Sequence, residues 1–165
     1  MSEVKNANDS AELGGKYLTF FLDREEYGLE ILKVREIIGM MDITPVPRTP
    51  KFVCGVINLR GKVIPVVNLR TKFGMETIET NGETCIIVVQ AEDIEMGIVV
   101  DRVSEVIDIP TSAIQPPPAF GNKGISISYL LGIGKTEETI KLLLNIDKVL
   151  SRAELGQISQ VGEAA

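Results

Sequence analysis

The chain has 165 residues, 44% hydrophobic and 24% charged, the composition of a folded protein with one sizeable core or two small ones and not of a disordered polymer. A formal charge of −6 argues against the broad basic face that neutralises nucleic-acid phosphates. Histidine is absent altogether, which excludes His-based catalytic triads and His-based metal centres.

Residues 1–15 are polar and small and end in Gly14 and Gly15, the pattern of a disordered leader, so structure is expected to begin at Lys16 or Tyr17. Residues 17–22 are rich in aromatic and aliphatic side chains. The polar cluster Asp23, Arg24, Glu25, Glu26 separates them from a second such run at 27–31, and the pair predicts a hairpin. Residues 32–36 fit one helical turn, and 37–40 return to strand character. Pro45, Pro47 and Pro50 each fix their own φ and disfavour helix in the preceding residue, which predicts an extended, irregular path. Two apolar, β-branched runs between Val53 and Arg70 then meet at Arg60 and Gly61. A residue without Cβ supplies the positive φ of a tight turn there, and Arg60 becomes a turn-tip residue. From Ile43 to Met75 no residue is acidic, yet Arg48, Lys51, Arg60, Lys62, Arg70 and Lys72 all fall in the span: a basic block in an acidic chain.

Residues 77–83 read as a polar connection. Residues 85–89 and 96–100 predict another hairpin and 103–109 a further strand, after which Pro110 and residues 116–118 mark a long loop. Residues 141–146 are one more strand, leading into 147–150. Ser151 and Glu154 stand in capping-box register and predict a short C-terminal helix, and residues 156–165 read as a mobile tail. Cys54 and Cys85 lie among apolar residues without a CxxC spacing, so packed, reduced thiols are expected. No apolar run reaches the ~18 residues of a membrane helix, and no N-terminal segment resembles a signal peptide, which predicts a cytoplasmic protein without direct membrane insertion.

The chain also aligns with itself. Gly28, Val34, Glu36 and Ile38 recur as Gly97, Val103, Glu105 and Ile107, an offset of 69, and Lys33 and Ile37 have the conservative counterparts Arg102 and Val106. Farther on, Gly55, Val56 and residues 66–69 match Gly132, Ile133 and residues 143–146 at an offset of 77. The 8-residue difference is an insertion in the proline-rich loop of the second copy, where length changes are tolerated best. A first repeat at about 16–83 and a second at about 84–150 each hold about five short strands. Two small closed barrels bury such strands and remove their edges, so an all-β fold of two five-stranded barrels with short helical turns is expected.

Residues 132–136 resemble the end of a phosphate-binding loop, but GxxxxGK[ST] would place its first glycine at Tyr129, and a strand-like alternation follows Thr136 where a helix should start. Carboxylate clusters such as Asp23, Glu25, Glu26 and Glu92, Asp93, Glu95 sit in predicted turns with nothing to separate their pKa values. No enzyme, cofactor or metal is expected. Surface remains: Glu36 and Glu105 are equivalent positions, each flanked by apolar residues, and Arg60 stands at a hairpin tip. A competing expectation is an anion- or oligonucleotide-binding small barrel using the basic block. Aromatics are only 5% of the chain, with no Trp, and supply few stacking platforms for it.

Residues 26–37, 43–47, 55–70 and 97–103 together resemble the bacterial chemotaxis coupling protein family, CheW, and the likeness extends over about residues 17–150. The resemblance implies two SH3-like β-barrels. It implies a non-enzymatic adaptor, monomeric when free, that joins chemoreceptor cytoplasmic tips to the regulatory domain of the histidine kinase CheA. By the same likeness the protein is cytoplasmic and recruited to the inner face of the membrane through receptor arrays. Carried over by position, Val34, Glu36, Ile37, Arg60 and Val106 are the implied receptor-facing residues. Ile43, Val46 and Gly55 are implied near one kinase contact, and Phe120 near a second.

Overall fold

A computed structural model of the chain describes residues 14–116, 129–136 and 139–151, with 153, 154 and 156–158. Two sheets are formed. One runs in the order β8 (Arg102–Ile109), β1 (Gly15–Leu22), β2 (Glu25–Glu30), β11 (Thr139–Leu144), β10 (Leu130–Thr136), β9 (Ile114–Gln115). The other runs β3 (Val34–Gly39), β6 (Cys85–Ala91), β7 (Ile94–Val100), β5 (Lys62–Asn68), β4 (Val53–Leu59). Under the repeat offsets these two orders are the same order, and the isolated bridge between Thr44 and Val56 is the counterpart of the β9–β10 pairing. The repeat is therefore real in three dimensions.

Its copies do not each build their own sheet. The chain crosses from one sheet to the other through a 3-10 turn at Ile31–Lys33 and crosses back at Asp101, so the six-stranded sheet takes a hairpin from the first half and four strands from the second, and the five-stranded sheet a hairpin from the second half and three strands from the first. The halves meet in four pairings, of which β2–β11 and β5–β7 are parallel seams and β1–β8 and β3–β6 antiparallel. Similarity identifies equivalent strands, and the three-residue crossing decides which sheet each strand joins.

Period-2 alternation then explains the core. Leu18, Phe20 and Leu22 of β1 and Ile87, Val89 and Ala91 of β6 face one large cluster shared by both sheets. Tyr17 faces a small local cluster with Ile109 and Leu143, while Ile86 and Val88 face an equivalent one with Ile57, Ile64 and Val66. Both faces of the central strands are buried, which is why they read as continuous apolar runs. Four of the scarce aromatics, Phe20, Tyr27, Phe73 and Tyr129, stack in one ladder with centroid separations of 4.9–5.9 Å.

The predicted hairpins form. The turns at 23–24, 60–61 and 92–93 have two-residue loops, and Asp23, Arg60 and Glu92 themselves take positive φ. The helical turn expected at 32–36 is shorter and earlier, so β3 already begins at Val34. The runs through 70 and 146 end sooner than their hydrophobicity suggests, in the single-turn helices α1 (Leu69–Lys72) and α2 (Ile146–Val149). Equivalent asparagines stop both strands: Asn68 accepts from Thr71 N and Asn145 from Asp147 N. Residues 132–136, where a phosphate loop was weighed, are strand β10. The capping box is present, with Glu154 N donating to Ser151 Oγ (3.1 Å) and Ser151 N to Glu154 Oε1 (2.8 Å). Residues 156–158, expected as tail, are helical, and Ile158 is fully buried in the shared core. Of the leader expected at 1–15, residues 1–13 lie outside the described residues, and β1 already begins at Gly15.

Candidate functional site

The type of turn at 60–61 decides where Arg60 points its charge. Arg60 (φ 55°) and Gly61 (φ 84°) both have positive φ, and Asn58 Oδ1 accepts from Gly61 N at 2.9 Å, closing the loop tightly. The guanidinium then meets Glu36 on β3, with Nη1 3.3 Å from Oε2 and Nη2 paired to Oε1. Arg60 is 69% exposed and Glu36 33%. The Glu36 carboxylate holds the guanidinium above its ordinary pKa, first by the hydrogen bond and then by charge. The pair thus fixes the orientation of an exposed cation at little gain in stability.

Next along β3 and on its opposite face, Ile37 stands 45% exposed, and its repeat equivalent Val106 stands 50% exposed on β8. β3 and β8 are the equivalent end strands of the two sheets. Val34, also on β3, is half-buried and packs against the shared core. Four of the five residues implied for receptor docking therefore sit on one strand or on the hairpin tip bonded to it, and the fifth is their counterpart in the other sheet.

The residues implied for kinase contact occupy the opposite edge of the β3–β4 sheet. Gly55 is buried in β4, and its absence of a side chain is a steric requirement: a Cβ there would lie 2.1 Å from the Thr44 carbonyl oxygen and 2.9 Å from Pro45 Cα. Its φ of 143° adds a conformational reason. Gly55 thus seats the Thr44–Val56 bridge, where Thr44 N donates to Val56 O (2.8 Å) and Val56 N to Thr44 O (2.9 Å). Ile43 and Val46 flank that bridge and are both half-buried, and Ile43 packs on the cluster beneath. Gly55 positions this segment from underneath. Gly132 does the same for Gln115 in the other sheet. Phe120 lies outside the described residues.

The basic block is not a free cationic surface. Lys62 pairs with Glu95 at 2.6 Å, and Lys72 with Glu154 at 2.9 Å, over the Phe52 ring. Arg70, 9% exposed, makes a two-pronged contact with Asp101 at 2.7 and 2.8 Å and donates to Glu76 O at 2.6 Å. That contact holds the Asp101 carboxyl below its ordinary range. It clamps the return crossing between sheets, and Lys33–Asp147 (2.8 Å) clamps the outward one with reversed polarity. The anion-binding alternative loses half of its six charges to these contacts. Composition could not reveal them, because the partners are distant in sequence.

Lys141 is the other polar residue that sequence reasoning missed. It is 7% exposed and reaches Glu26 (3.2 Å), Thr139 Oγ1 (2.8 Å) and Thr136 Oγ1 (3.2 Å), which satisfies all three of its donors. Its equivalent in the other sheet is Ile64, while Glu26 corresponds to Glu95, the partner of Lys62. Each parallel seam between the halves thus carries a lysine bound to the same repeated glutamate. A lysine within an otherwise apolar run was the available signal. Burial keeps the Cys54 and Cys85 thiols above their ordinary pKa, as fits packed, unreactive cysteines. Among the described residues no cluster of His, Cys, Asp or Glu is arranged to hold a metal ion, and no helix is long and apolar enough to cross a membrane.

Paired small β-sheets around a common core, with exposed aliphatic side chains on equivalent edge strands and a charge fixed beside one of them, define a docking module of the duplicated SH3-like type. The chain belongs to the CheW-like domain family, whose model matches residues 16–154. It is 38% identical over 152 residues to the chemotaxis protein CheW of Klebsiella aerogenes, covering 92% of this chain and 91% of that protein. To CheW of Bacillus subtilis it is 33% identical, covering 84% and 88%. The crystal structure of the scaffolding protein TtCheW from Thermoanaerobacter tengcongensis superposes with a TM-score of 0.78 at 35% identity, covering 86% of this chain and 95% of that one.

Proposed function

We propose that the protein is a chemotaxis scaffold that joins the cytoplasmic tips of chemoreceptors to the histidine kinase CheA. It performs no chemistry of its own: it holds two partners in fixed relation, so that receptor state reaches the kinase. The observation that carries the reading is the end strand β3, which presents exposed Ile37 on its shared-core face and, on the other face, a charge pair, Glu36–Arg60, whose geometry is set by the hairpin. A strand that offers an aliphatic contact and an oriented charge along one edge suits the side of an amphipathic helix. Val34 supports that strand from within, and Val106 offers a second aliphatic contact. Ile43 and Val46, seated by Gly55, face the kinase from the other edge, with Phe120 at a second contact. The protein works in the cytoplasm and reaches the inner face of the membrane through the receptors.

Co-sedimentation of receptor cytoplasmic fragments with CheA, with and without this protein, tests the reading. CheA is expected in the pellet only when the protein is present. CheA pelleting equally well without it, or never pelleting, would overturn the assignment.

A further inference from the structure

The ladders divide sharply by sequence half. Within the first half β1 pairs with β2 and β4 with β5, but among the described residues no ladder joins the β1–β2 hairpin to β3, β4 or β5. The second half behaves alike: β6 pairs with β7, β10 with β11 and β9, and among the described residues no ladder joins the first pair to the rest, which it reaches through Glu92 N donating to Asp147 Oδ1 at 2.7 Å. Both sheets are completed by pairings between halves, namely β1–β8, β2–β11, β3–β6 and β5–β7. The seam salt bridges Lys62–Glu95 and Lys141–Glu26 and the clamps Arg70–Asp101 and Lys33–Asp147 also run between halves.

One exposed connector makes these contacts intramolecular. Arg70 Nη1 pins Glu76 O at 2.6 Å, and the Asn81 side chain organises the start of the second half by accepting from Glu83 N (2.7 Å) and Thr84 N (3.2 Å). Only residues 77–80, all exposed, lie free between those anchors. Four residues with their flanking bonds span at most about 17 Å. The path that lets one chain close on itself is therefore short and exposed.

We propose that the chain also assembles with a second copy of itself by exchanging halves, and that the 77–80 connector sets the balance between monomer and exchanged dimer. In the dimer each two-sheet body holds the first half of one chain and the second half of the other, with every inter-half ladder, seam bridge and clamp retained. Only the connector changes course. Each exposed face would then draw Ile37 and Arg60 from one chain and Val106 from its partner.

The test deletes residues 77–80 and measures mass by light scattering after size exclusion. A second set of substitutions, Lys16→Cys and Asp108→Cys in a Cys54→Ala, Cys85→Ala background, reports which halves meet. Lys16 and Asp108 are exposed register partners from opposite halves, 2.8 Å apart through their salt bridge. The deletion is expected to double the molecular mass, and the engineered disulfide to join two chains on a non-reducing gel. A folded monomer, or a dimer whose disulfides stay within each chain, would overturn the proposal. Should the deletion variant be insoluble, the full-length cysteine variant is refolded at rising concentration. Covalent dimer must then increase with concentration, and an intrachain disulfide at every concentration would equally overturn it.

Discussion

Replacing Lys141 with isoleucine copies into one sheet the residue its twin already has at Ile64, and the repeat supplies the compensating change as well. In Lys141→Ile the Glu26 carboxylate, 12% exposed, loses its cation, a defect worth about 3–5 kcal/mol for a buried pair. Full burial of an isoleucine returns about 1.5–3 kcal/mol, and less here because the lysine stem was already packed. The single variant should therefore lose about 2 kcal/mol. Adding Thr139→Lys places a lysine where the other sheet has Lys62, two residues along the same strand face, within reach of the repeated glutamate. The double variant should recover most of the loss. Urea unfolding at constant slope measures both steps. A single variant as stable as wild type, or a double variant no better than the single, would refute the claim that the seam needs a lysine on its glutamate.

Three further outcomes are expected. Arg60→Glu should weaken receptor-fragment binding about tenfold in titration while CheA affinity and the unfolding midpoint stay unchanged, since so exposed an ion pair adds little to stability; equal loss of both partners would contradict the division of surfaces. Gly55→Asp should lower stability by about 1–3 kcal/mol and weaken CheA binding, because the added Cβ displaces the Thr44–Pro45 segment; full stability would show that the segment moves freely. Because Arg70 holds the folded Asp101 carboxyl below its ordinary pKa, the unfolded chain binds that proton more tightly. The clamp's contribution is thus present above the ordinary carboxylate pKa and lost as pH falls through the folded value. Arg70→Met should flatten that part of the acid-stability curve, and an unaltered acid limb would sever the link.

Hairpins, turn tips and the duplication were legible because each rests on local chemistry. A glycine at a two-residue turn, an apolar run and a proline act through their own backbone. The identical residues Gly28 and Gly97, or Glu36 and Glu105, marked equivalent strands for the same reason. Strand exchange was hidden, because a three-residue crossing at Ile31–Lys33 carries no signal for which side the chain will take. The salt bridges were hidden by distance: Lys72 and Glu154 are 82 residues apart, and only the finished topology brings them together. So the basic block looked available when Arg70 was already buried. Gly55 was singled out as a contact, but its contribution is seen only against the Thr44 carbonyl, whose position depends on the proline-bent path before β4.

The crossing at Ile31–Lys33 also has a consequence in time. A ribosome releases β1 and β2 early, yet Tyr17 must wait for Ile107 and Leu29 for Leu144 before their ladders can close. The five-stranded sheet has all its strands once Val100 is made, but the six-stranded sheet waits for Leu144, so its closure is postponed toward the end of translation. During that interval the first hairpin stands with both edges open. The protein depends, more than its small size suggests, on reaching full length before anything else finds those edges.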